Sequence, residues 1–298
     1  MPPTAAKAPL HLRRLGIPGQ HAEATEQVCP YHALVTPADI DLNYVVDGPS
    51  DGRPVLFVHG ILTCRAHWLL NLPAFHEAGF RSITIDLFGH GSSPSPDDEA
   101  AYHPDRYADR FTALRNLIEA ERWFVVGQSL GAALTLNYAM SRPDEVIAHV
   151  VTNSHSAFGE LERIRDPEAA RERAQMMIDG GISAVMKHPL NPRRARAFSD
   201  AQRAEFDDAM LLSNAEGIAR TMMWTSPHTP MRHRLPTNPV DTLLVAGDRE
   251  EAFTPAREWV EQNAANFRVA RVPATHAVNI SAADDFNRIA IEFLNRYA

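Results

Sequence analysis

The feature that most limits what this chain can fold into is a rhythm. Short apolar, β-branched runs alternate with stretches whose apolar residues recur at helical spacing. "ADIDLNYVVDG" alternates Ile40, Leu42, Tyr44 and Val46, as a half-buried strand does. "PVLFVHG" (54–60) is a continuous apolar run ending in Gly, which suits a strand buried on both faces. "RSITIDLFGHG" (81–91), "RWFVVGQS" (122–129), "EVIAHVVTN" (145–153), "DTLLVAGD" (241–248) and "FRVARVP" (267–273) continue the series. Helices are expected over 64–78, over 105–120, and from Leu130 to about Ser141, where Pro143 ends the run. A last helix carries Phe286, Ile289, Phe293 and Tyr297 on one face. Strands alternating with helices predict an α/β fold: a mostly parallel sheet with helices on both faces.

The rhythm breaks once. Residues 154–236 hold no strand-like run, and "DPEAARERAQMMIDG", "SDAQRAEFDDAMLL" and "AEGIARTMMW" read as helices punctuated by prolines. This predicts a helical cap over 154–236 inserted into a core made of 31–153 and 237–298. Residues 1–30 are polar, mixed and Pro-containing, and read as a loosely packed leader.

Composition removes several classes of function. The net charge is -8 with no basic run, which argues against nucleic acid, whose phosphates need clustered Lys and Arg. No apolar run approaches the roughly 20 residues that span a bilayer. The opening residues lack the apolar core of a secretory signal, so a cytoplasmic protein with no membrane partner is expected. Cys29 and Cys64 are too few for a disulfide framework or a zinc site, and both are expected as free thiols.

Chemistry concentrates in three places. "Gly127-Gln128-Ser129-Leu130-Gly131" follows an apolar strand and opens a helix, the context in which G-x-S-x-G exposes a serine on a tight strained turn. Side chains two residues either side of that serine would collide with neighbouring backbone, hence glycine at both. "His59-Gly60-Ile61-Leu62" ends an earlier strand. Acyl transfer needs two N–H donors for its oxyanion, and Leu130 and Ile61 are the candidates. His59 itself reads as structural. His276, in "PATHAVNIS", follows the final strand, the place of the general base in a chain ordered serine, acid, histidine.

These residues resemble the α/β-hydrolase superfamily over about 31–298. The resemblance rests on "HGILTCRAHW" (59–68), "DLFGHGSS" (86–93), "GQSLG" (127–131) and "HAVN" (276–279). Within it the pattern looks like the group of enol-lactone hydrolases, small esterases, carbon–carbon bond hydrolases and cofactor-free haloperoxidases. The resemblance implies about eight strands, a cap over the site, and Ser129 and His276 as nucleophile and base. It also implies an acid three residues after a Gly and four before a Pro. Here Gly247 and Pro255 enclose one residue more: counting from Gly247 selects Glu250, counting back from Pro255 selects Glu251, and Asp248 is the lone aspartate. Glu250 is preferred, because a strand end fixes geometry better than the following loop. Asp86 is assigned to structure, and Cys64 to packing where relatives often carry Ser.

The cap holds Met176, Met177, Met186, Met210, Met222, Met223 and Met231, besides Trp224. Flexible thioethers suit an adaptable pocket roof and equally suit ordinary core filling; Met223 and Trp224 are the pocket candidates. His155, His188 and His228 lie in the same stretch and could reach the site. A serine at the elbow distinguishes the chain from dehalogenases and epoxide hydrolases, which use aspartate there. The expected function is hydrolysis of a carboxylic ester or lactone of a mainly apolar small molecule through an acyl-enzyme. Carbon–carbon hydrolysis of a diketone-type substrate, and ligand binding without turnover on the same fold, are the rivals. No metal or organic cofactor is implied, and oligomeric state is left open.

Overall fold

The computed structural model describes residues 40–160 and 166–297. The expected leader over 1–30 and Cys29 lie outside them. Among the described residues seven strands form one sheet: β1 (Tyr44–Asp47), β2 (Arg53–Val58), β3 (Phe80–Ile85), β4 (Trp123–Gly127), β5 (Val146–Thr152), β6 (Thr242–Gly247) and β7 (Phe267–Val272). Their order is β1-β3-β2-β4-β5-β6-β7. Only β1 pairs antiparallel, with β3; the other ladders are parallel. The count is one short of the eight that the resemblance implies.

Side-chain alternation divides the core. Leu56, Val58, Ile83 and Ile85 pack on one face with Tyr107, Phe111 and Leu134. Val55 and Phe57 point to the other, against Trp68, Phe75, Phe286 and Phe293. Two helices, α2 (Pro104–Leu117) and α3 (Leu130–Ser141), cover the first face, and α1 (Leu72–Glu77) covers the second.

Three local expectations change. The first strand begins at Tyr44 rather than Ile40: the Asn43 carbonyl still accepts from Asp86 N–H at 2.9 Å, but its own N–H turns to Ser93 Oγ and its side-chain amide donates to the Asp86 carboxylate. The single helix expected over 64–78 is a 3₁₀ turn, Arg65–Trp68, followed by α1. Pro73 sits near the start of α1, and a proline there cannot continue a helix from the preceding turn. A helix over Thr254–Asn263 was not expected. Its inward stripe is short, since Arg257 is buried with Ala256 and Val260 and pairs with Asp248.

The strand order fixes where a site can be. From β2 the chain crosses to β3 on one side, and from β4 to β5 on the other. The loops leaving β2 and β4 therefore diverge, and a crevice opens beyond their carboxyl ends. Gly60-Ile61 and Ser129-Leu130 lie there.

Between β5 and β6 the described residues contain only helices and turns. They include α4 (His155–Phe158), α5 (Pro167–Lys187), α6 (Asp200–Leu211), α7 (Ala215–Arg220) and a π-helical turn, Thr221–Thr225. Met177, Val185, Phe206, Met210 and Met222 of this stretch bury against Leu62, Cys64, Ala66 and Ile280 of the loops below. Most of its methionines are therefore packing residues, and Met176 is exposed. Cys64 is a free buried thiol whose pKa burial pushes up.

Four histidines, His59, His67, His90 and His149, are fully buried, and desolvation lowers each to about 3. An unfolded histidine titrates near 6.5, so below that pH the unfolded chain takes up protons that the folded one refuses. Stability is then complete above about pH 6.5 and is lost as pH falls towards about 3. At pH 5 each costs up to roughly 2 kcal/mol of the stability present above about pH 6.5. Urea midpoints at pH 7.5, 6 and 5 should fall in that order; a flat profile would contradict the burial argument.

Candidate active site

Ser129 stands at the β4–α3 junction with φ 53° and ψ -113°, a strained conformation for a residue with a side chain. The glycines around it explain why so sharp a turn fits. A Cβ on Gly127 would lie 2.6 Å from the Gly131 carbonyl oxygen, and one on Gly131 would strike the Val58 carbonyl. Ser154 Oγ donates to the Ser129 carbonyl at 2.6 Å and braces the turn.

The structure brings three of the expected side chains into one line. Ser129 Oγ is 2.8 Å from His276 Nε2. His276 Nδ1 is 2.9 and 3.0 Å from the two oxygens of Glu250. A carboxylate only accepts, so the ring proton sits on Nδ1 and Nε2 faces the serine with its lone pair. The close approach of the last two loops depends on Gly247, where a Cβ would lie 2.6 Å from the carbonyl oxygens of Ala274 and Thr275.

Glu250 is held on every side. Asn153, at the end of β5, donates to Oε2 at 2.7 Å and exchanges two further bonds with the Gly247 backbone. His155 Nε2 donates to Oε1 at 2.9 Å. Burial opposes ionisation of the carboxyl, but the hydrogen bonds from His155 and His276, the His276 charge and the Asn153 amide outweigh it. Its pKa is held well below the usual carboxylate range. The other two candidates lie elsewhere: Asp248 pairs with Arg257 at 2.9 Å, and Glu251 is exposed at the start of a 3₁₀ turn.

The loop after β2 is fixed by buried polar groups. Leu87 N–H donates to His59 Nε2 at 3.0 Å, leaving the proton on Nδ1, which donates to Gly60 O at 2.7 Å. In a trans peptide C=O and N–H point opposite ways, so holding Gly60 O also orients the N–H of Ile61. Neither that N–H nor that of Leu130, the first residue of α3, has an acceptor among the described residues. Buried Asp86 accepts from the Arg65 and Ser92 N–H groups and ties this loop to the one after β3. An amide ladder ties it to the His276 loop. His67 Nε2 donates to Asn279 Oδ1 at 2.9 Å, Asn71 donates to the Asn279 carbonyl at 2.9 Å and to Asn287 at 2.8 Å, and Asn279 donates back to Asn71 at 3.1 Å.

Met223 and Trp224, on the π-helical turn, line a cavity of about 400 Å³ with Ala170, Arg171, Pro227 and His228. His188 accepts from Leu190 N–H, and His228 packs on His103 with ring centroids 5.0 Å apart and planes tilted by 49°, whereas His155 bonds Glu250 of the serine–histidine–glutamate line. The role of His155 on Glu250, and those of Asn153 and the ladder, have no local sequence signal.

The sequence model of a family described as "alpha/beta hydrolase fold" matches residues 53–180. The Pseudomonas putida dihydrolipoyllysine-residue acetyltransferase component of an acetoin cleaving system is 25% identical over 260 residues, covering 84% of this chain and 65% of that protein. Among solved structures, MenH from S. aureus superposes with a TM-score of 0.73 at 19% identity, covering 85% of this chain and 98% of its own. The enol-lactonase from Burkholderia xenovorans LB400 gives 0.72 at 23% identity, with 85% and 96% covered.

Proposed function

We propose, from the premise that this chain belongs to the α/β-hydrolase superfamily, that it is a serine hydrolase cleaving a carboxylic ester or lactone of a mainly apolar small molecule. The observation that carries this reading is the continuous hydrogen-bonded line from Ser129 Oγ through His276 to Glu250. Nε2 of His276 takes the hydroxyl proton as Ser129 attacks the carbonyl carbon. The oxyanion that forms is received by the N–H groups of Ile61 and Leu130. Collapse of the tetrahedral intermediate expels the alcohol, which takes the proton from His276, and leaves an acyl-serine. Water, deprotonated by the same imidazole, then releases the acid and restores Ser129. Ionised Glu250 holds the tautomer and stabilises the imidazolium at each step.

The helices between β5 and β6 act as the roof over this site, and their fold-back onto Leu62 and Ile280 supports that role. The cavity lined by Met223 and Trp224 holds none of Ser129, His276, Ile61 and Leu130 in its wall, so the length profile of the substrate is read without assigning it to that cavity. p-Nitrophenyl esters of increasing acyl length test the reading. A saturable, length-selective release of nitrophenol is expected, with a serine-directed phosphonate adding its mass to the peptide that contains Ser129. Absence of turnover at every length, with Ser129 left unlabelled, would exclude it.

A further inference from the structure

We infer that His155, Glu250 and His276 form a binding site for a divalent transition-metal ion such as Zn²⁺, and that the ion switches the catalytic line off. The inhibitory half rests on the proposed serine chemistry; the binding half does not. His155 and His276 each present a ring nitrogen to the same carboxylate oxygen, at 2.9 Å in both cases. The rings lie nearly parallel, 15° apart with centroids 6.1 Å apart. One donor atom from each of the three residues falls within 4.8 Å of the others. Two ligands on a tetrahedral zinc stand roughly 3.4 Å apart, given bonds of about 2.0–2.1 Å, so small shifts would admit the ion. Two imidazoles and a carboxylate are a ligand set that zinc accepts, with water in the fourth position. The His155 side chain is 48% exposed, which gives an ion a path from solvent. Asn153 bonds the other oxygen, Oε2, and would keep the carboxylate oriented while Oε1 turns to the metal.

The chemical consequence follows from the tautomer. Without metal, the ring proton of His276 lies on Nδ1 and the lone pair on Nε2 receives the Ser129 proton. A cation on Nδ1 takes the lone pair of that nitrogen, and the ring proton moves to Nε2. No base then faces the hydroxyl, and Glu250 no longer bonds the imidazole. The ion competes with the chemistry rather than assisting it. His155 bonds Glu250 but neither Ser129 nor His276, so it is the ligand whose removal leaves the serine–histidine contact in place.

The test uses tag-free protein. Binding is read by calorimetric titration with Zn²⁺ and by the visible spectrum of Co²⁺, both on Ser129→Ala, which should bind as wild type does. One equivalent is expected, with a tetrahedral cobalt spectrum. On wild type, Zn²⁺ should inhibit ester turnover reversibly, with full recovery on adding a chelator. His155→Ala and His155→Gln are each compared with their own metal-free turnover, since His155 also bonds Glu250. They should weaken binding and inhibition by the same factor, above the roughly 10–100-fold that loss of an outer-shell partner costs. No stoichiometric binding to Ser129→Ala, or affinity unchanged from wild type in both His155 variants, would overturn the site. Binding without inhibition of a serine-dependent turnover would overturn the switch. A protein with no ester turnover still gives the cobalt result, so failure of the hydrolase reading is separable from failure of the site.

Discussion

Ser129→Ala is expected to lower ester turnover by about 10⁴-fold or more while leaving the fold intact. In the proposed mechanism the hydroxyl oxygen forms the acyl bond, and neither nearby serine bonds His276 in its place: Ser154 bonds the Ser129 carbonyl and Ser156. The substitution keeps the Cβ, so the strain at φ 53° is the same in both proteins. Urea midpoints should therefore agree closely. Steady-state turnover on the best p-nitrophenyl ester, with the midpoint as a folding control, decides the matter. Turnover near wild type in a folded variant would remove Ser129 as the nucleophile.

The second large effect is expected at Glu250. Glu250→Gln keeps the size of the side chain but places an amide beside His276. An amide N–H turned to Nδ1 draws the ring proton to Nε2, the wrong tautomer for accepting from Ser129. A loss of about 10²–10⁴-fold in kcat is expected, with KM little changed. Asp248→Asn and Glu251→Gln should stay within a few-fold of wild type, because neither carboxylate bonds His276. Comparing the three variants reads the acid directly. A large loss at Glu251 with none at Glu250 would reassign it.

The strands and the elbow were legible because their signals are local. A β-branched run bounded by glycine, or a serine between glycines at a strand–helix junction, says the same thing wherever the rest of the chain lies. The proposed acid was legible only in part. Counting from Gly247 reached Glu250, since β6 and its ladder to β7 fix that end, whereas the count from Pro255 carried the uncertainty of an extra loop residue. Asn153, Asn279 and Asn287 could not be read as partners, and His155 could be read only as a histidine able to reach the site. Each is an ordinary polar residue in sequence and acquires meaning from a group far along the chain, as Asn71 does from Asn287. The helix expected over 64–78 differs for the opposite reason: Pro73 is a local break, and it divides the stretch into a 3₁₀ turn and α1.

The amide ladder also bears on when the site comes into being during synthesis. The elbow and the loop after β2 are complete early in the chain, while His276, Asn279 and Asn287 all follow the last strand. Chains emerge from the ribosome in order and fold as segments become available. A nascent chain that already displays Ser129 has no imidazole beside it, and Asn71 has no mate to hold its loop. On the proposed mechanism, reactivity waits for translation to pass Asn287, and a product terminated before His276 carries a serine without its base.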